Sequence, residues 1–170
     1  MRWNKPWRNT AWLLALALIL TGFAVSASHA VTLYDGRPQT GLAEEPLVIV
    51  TETGERHDFT VEMAITPREQ AVGLMYRRKI PRDRGMLFPF AKPKIATFWM
   101  KDTLASLDLL FIDTNGIITD IHRRAVPHSL DPIPSSVPVI AVLELAGGEA
   151  DRRDIREGDQ VEHPLFQAQE

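Results

Sequence analysis

The sequence predicts an α+β fold that is mostly β: a single compact barrel-like domain of mixed strands with two short helices. Three observations predict it. Phe59, Val61 and Met63 alternate with Thr60 and Glu62, the period of a half-buried strand. Thr66, Pro67 and Glu69 then set a helix start where that alternation stops. Further on, Asn115-Gly116 stands between two apolar runs and is the strongest hairpin signal in the chain.

The elements follow in order. Residues 1–30 are expected to lie outside the domain. Arg2, Lys5 and Arg8 precede an apolar run from Ala11 to Leu20, and the small-residue stretch AVSASHA follows. That order is the pattern of a secretory signal peptide. Ser28 and Ala30 suit a cut after Ala30, and a cut after Ala27 is the alternative. The run from Ala11 to Val25 is short for a membrane span, which needs roughly 20 apolar residues. The expectation is therefore a periplasmic or secreted protein without stable membrane insertion after cleavage. Residues 31–45 carry Gly36, Pro38 and Gly41 and read as a mobile or loosely docked arm. The domain proper is expected over 46–170.

EPLVIV and RHDFTVEMAI read as two strands around a turn at Thr53 to Glu55. The helix opened by Thr66 puts Ala71, Leu74 and Met75 on one face and should end near Arg77, because Pro81 forbids much continuation. GMLFPF reads as a strand, the long apolar run ATFWMKDTLASLDLLFID at 96–113 is β-leaning, and LDLLFID within it opens the hairpin. Pairing around Asn115-Gly116 would set Leu110 opposite Ile121, Ile112 opposite Thr119 and Asp108 opposite Arg123. The proline-rich RRAVPHSLDPIPSSVP reads as a long surface loop, and VIAVLELA as a buried strand with a glycine stop. EADRRDIREGD offers the second short helix, and QVEHPLF a closing strand.

Composition excludes several classes of function. The chain has 19 basic and 22 acidic side chains and no cysteine. Without the first thirty residues it has 16 basic against 22 acidic, a net charge of −6. That balance argues against nucleic acid or an anionic membrane as a partner. The absence of cysteine removes disulfides, thiolate metal sites and cysteine nucleophiles. His57, His122, His128 and His163 lack the spacing of a zinc site. No phosphate-binding glycine loop and no Gly-x-Ser-x-Gly motif occurs. No cofactor or metal is expected.

GLMYRR, GMLFPF, FWMKDT and LDLLFID, in this order and spacing, resemble domain-of-unknown-function family 192, a bacterial and archaeal family. The resemblance covers roughly Leu47 to His163. It implies a small barrel-like β-rich domain, often exported, and it assigns no activity. The family commonly has Asn where Asp102 stands and Ile-Pro where Ala105 and Ser106 stand. A pocket rim shaped by those residues would be altered in this chain.

The candidate site residues are charges set in apolar strands. Asp108 interrupts LDLLFI; it either pairs with Arg123 or caps a turn, at the sheet rim, or lines a polar pocket. Lys101, read as sharing a strand face with Trp99 and Thr103, either lays its stem along Trp99 or presents an ammonium beside an aromatic wall. The second arrangement suits a carboxylate or phosphate. Glu144, on the face of Ile140 and Val142, is either exposed at a strand end or meets a cation, with Arg77, Arg78, Arg84 and Lys101 as candidates. Phe88, Phe90, Phe98 and Trp99 read most simply as core. The leading expectation is a non-catalytic binding or accessory module built on Trp99, Lys101, Asp108, Glu144, Arg77 and Arg84. It would take a small polar or anionic ligand, or a segment of a periplasmic protein. The alternative is a small hydrolase-like enzyme using Asp108 and Glu144 with Lys101 as electrostatic support.

Overall fold

Alternation decides the first strands. In a computed structural model, which describes residues 36–167, β1 (Glu44–Val50) and β2 (Arg56–Met63) form an antiparallel pair. Phe59, Val61 and Met63 are buried on one side, as their period requires. The signal-peptide pattern at 1–30 lies outside the described residues. Helix α1 (Pro67–Val72) has the full capping box: Thr66 Oγ1 accepts from the Glu69 N–H, and the Glu69 carboxylate accepts from the Thr66 N–H. It stops at Gly73, earlier than the expected Arg77, because the chain takes a positive φ of 49° there. The helix carries the chain from β2 to β3 (Arg84–Lys94), which pairs parallel to β2.

The 96–113 run holds two strands. It yields a two-residue β4 (Thr97–Phe98), a turn at Lys101 and Asp102, and then β5 (Leu107–Ile112). Asp102 has φ 53°, a left-handed conformation incompatible with continuing a strand. β5 and β6 (Ile118–Ala125) form the hairpin. β7 (Ile133–Pro134) pairs with β4 as a separate small ribbon. β8 (Val139–Ala146), α2 (Glu149–Arg152) and β9 (Gln160–Glu162) complete the order, and a 3-10 turn follows at Pro164–Phe166.

The seven long and closing strands form one sheet in the order β6-β5-β8-β3-β2-β1-β9. The sheet curls until its two ends touch. Val161 N–H donates to Gly116 O at 2.7 Å, and Ile118 N–H to Asp159 O at 3.0 Å. Residues of all seven strands meet in one cluster, including Leu47, Phe59, Leu87, Leu110, Ile118 and Val161, so this face is the inside of the curl. A second cluster, with Met86, Phe88, Leu109, Phe111 and Val142, lies on the outer face. Segments 95–105 and 125–133 contribute Ala96, Met100, Ala125 and Ile133 to it. β5 is therefore buried along its whole length, which explains a run without alternation. The expected arm is docked from Gln39 onward. The Gln39 amide donates to Glu69 O and Gly73 O, and Leu42 packs on the outer cluster.

Candidate functional site

The outer cluster leaves a gap. A cavity of about 330 Å³ opens between α1 with its following turn, the exit of β3, and the β4 segment. That volume lies at the lower end of small-molecule sites. Its walls are Leu74, Phe88, Phe90, Phe98 and Trp99. Phe88 and Phe98 meet edge to face with centroids 5.1 Å apart, and Phe98 meets Phe111 the same way at 6.4 Å. Trp99 is half exposed at the rim. Lys94 also lines the cavity, with Nζ 3.9 Å above the Phe90 ring.

The floor is Glu144. It is 5% exposed, and its carboxyl makes no hydrogen bond or ion pair with another described residue. Burial alone pushes it up to about 8, so the acid is largely neutral at pH 7. The strand register shows why no cation reaches it. Glu62, Met86, Glu144, Leu109 and His122 form one row across the outer face. The immediate neighbours of Glu144 are thus apolar. The nearest ionisable positions on that row lie two strands away, roughly 10 Å.

Residues 48–163 match the model of domain-of-unknown-function family 192, described as Uncharacterized ACR. The chain belongs to this family. Two solved structures share its fold. A Sinorhizobium meliloti 1021 protein, described as a proposed transcription regulator, is 44% identical with a TM-score of 0.71. The match covers 73% of this chain and 96% of that one. A Novosphingobium aromaticivorans DSM 12444 protein of unknown function is 40% identical with a TM-score of 0.71, over 75% of this chain and 90% of that one. No curated protein matches.

Of the residues singled out in this family-192 chain, Trp99 and Glu144 line the cavity. Lys101 stands beside its rim, with Nζ 5.7 Å from the Trp99 ring. It does so from a turn, not from a shared strand face. The departure from the family's Asn falls on Asp102, whose left-handed φ is one that Asn and Asp adopt more readily than other side chains. Tyr76 N–H donates to Asp102 O at 2.9 Å and ties this turn to the end of the α1 wall.

The other three residues lie elsewhere. Asp108 is fully buried, but on the inner face: it pairs with Leu145, while Glu144 pairs with Leu109. The pairing with Arg123 and the pocket reading both fail, and the capping role is met from a buried position and not at the sheet rim. Asp108 accepts backbone N–H bonds from Arg124 at 2.7 Å and from Gly148 and Ala150 at 2.9 Å. It thereby caps α2, whose own N-cap residue is a glycine with no side chain to offer. Arg123 turns instead to Asp151 and Glu157. Arg77 is bound to Glu62 at 2.5 Å, and Arg84 is bound to Glu44. The hydrolase-like pair fails on this geometry, because its two carboxylates face opposite sides of the sheet. Sequence reasoning missed Lys94 and assigned Phe90 and Phe98 to core alone. The run FPFAKPK, aromatic residues followed at once by two lysines, carried a signal for them.

Proposed function

We propose that this domain is a non-catalytic binding module that takes a small organic ligand with polar ends into the cavity over Glu144. The observation that carries this is an acid on the floor of an aromatic pocket with no partner among the described residues. A buried polar group without a partner costs free energy, on the order of 1–3 kcal/mol, that a ligand can recover. The apolar body of the ligand would lie against Phe88, Phe98 and Trp99, and an anionic end would meet Lys94 at the mouth. Exposed Ile95 and Trp99 beside the cavity favour a second occupant, a side chain of a protein segment. The pattern of residues 1–30 supports export, so the ligand would be met in the periplasm or outside the cell.

The test is thermal unfolding of residues 31–170 against organic acids, amines, amino acids and sugars. It would be run beside Thr97→Trp, which fills the mouth from an exposed position. A ligand at 100 times its dissociation constant adds about 2.7 kcal/mol, a shift of several degrees. The expected result is a hit that Thr97→Trp abolishes. A hit that survives Thr97→Trp unchanged, or no hit in the whole panel, removes this site from the account.

A further inference from the structure

The two ends of the cavity have opposite character. At the floor stands an acid among Met86, Phe88 and Leu109 that accepts no hydrogen bond from a described residue. At the mouth stands Lys94, which has a ring beneath it but no carboxylate partner among the described residues. Glu144 and Lys94 are the only ionisable side chains among the lining residues. Lys101 stands above Trp99 outside them, Glu62 is held by Arg77, and His122 is exposed at the far end of the row. On α1, Gln70 is uncharged and held by the Ala64 and Pro89 carbonyls. An amide at 144 would offer a neutral ligand both a donor and an acceptor. What the acid adds is the capacity to become an anion when a cation arrives.

We propose that the pocket binds a linear zwitterion amine first, with the ammonium on the Glu144 carboxylate and the ligand's own carboxylate on Lys94. This rests on the binding reading above and names its ligand class. Aromatic walls suit the amine, because ring faces attract cations; Phe90 and Trp99 already hold lysine amines in this way. The separation of the ends selects an extended molecule. Lys94 pairs with Val139, five residues along β8 from Glu144, roughly 17 Å of strand. The lysine folds back over Phe90 and shortens that gap, and the separation favours a ligand whose charged ends stand further apart than those of an α-amino acid. The matching chemistry is an ω-amino acid or a short peptide. Seating the amine requires Glu144 to give its proton to solvent, so one proton leaves for each ligand bound at neutral pH.

The experiment is calorimetry of 6-aminohexanoate, triglycine, hexylamine and hexanoate with the wild type, Glu144→Gln and Lys94→Gln, in two buffers of different protonation enthalpy. The expected result is that 6-aminohexanoate or triglycine binds at least tenfold more tightly than hexylamine and hexanoate. Glu144→Gln should cost at least tenfold and abolish proton release, and Lys94→Gln should weaken the zwitterion but not hexylamine. Preference between the two zwitterions names the source. Hexanoate binding best, untouched by Glu144→Gln, would overturn the inference and leave the binding module standing. Another compound seated in the pocket while all four fail to bind would do the same. An empty pocket against both panels ends both readings.

Discussion

Glu144 ties the stability of the protein to pH. Its carboxyl titrates near 4.5 when unfolded and is pushed up to about 8 by burial in the fold. Between those values the folded state holds a proton that the unfolded state has released. Stability contributed by this residue is therefore full below about pH 4.5, falls as pH rises towards 8, and is flat beyond it. The size is on the order of 5 kcal/mol at full burial. Glu144→Gln should match the wild type near pH 4.5 and exceed it at pH 8.5, in urea unfolding across that range. Parallel curves for the two proteins would mean that the acid is not neutral in the fold. The oddity of this residue was legible in VIAVLELA, and so was that of Asp108 in LDLLFID. Their partners were not legible. Asp108 is answered by backbone donors 16, 40 and 42 positions away, which no face count can find.

At the scale of elements, local chemistry was legible wherever it acts alone. The capping box of α1 follows from Thr66, Pro67 and Glu69, and the hairpin from Asn115-Gly116. The expected register holds at Leu109–His122, Leu110–Ile121 and Phe111–Asp120 and slips at both ends. The turn is the reason at one end. Gly116 N–H donates to Asp113 O and Asp113 N–H to Ile117 O, which makes a three-residue loop where a two-residue one was expected. Ile112 thus meets Ile118 and not Thr119. At the other end Arg124 takes a positive φ of 50° and turns its N–H to Asp108. Gly116 is doubly constrained: φ is 79°, and an added Cβ would stand 2.7 Å from Val161 O. Gly116→Ala should lower stability by about 1–3 kcal/mol. It should also speed hydrogen exchange at Val161 and Ile118 before the sheet centre is affected. Uniform loss across all strands would show that the junction is not a local unit.

At the scale of the whole molecule, the fold class was legible because strand period and helix signals alternate along one chain of this length. The second layer was not. A β-rich domain with one core would have left half of β5 polar; the apolar run LDLLFI reported burial on both sides without saying what covers it. The cover comes from α1, from the 95–105 segment and from the β4–β7 ribbon, and the gap among them is the candidate site. Export is the remaining expectation at this scale. Expression in a bacterial host with N-terminal sequencing of the periplasmic fraction should return a chain starting at Val31 or Ser28. An intact Met1 in the cytosolic fraction would withdraw it.

The contact between β9 and the turn before β6 sets an order of events. β9 is three residues long and the last strand in chain order, yet it is the piece that links β1 to the β5–β6 turn. A chain emerging from a ribosome or a translocation pore, amino end first, can pair β1 with β2 early. It cannot bring the two ends of the sheet together until β9 is free. Until then both lateral strands present unpaired backbone, which invites pairing with other chains. The vulnerable interval in the life of this protein is thus the time between release of β8 and release of β9, and its length is set by how fast residues 147–162 are delivered.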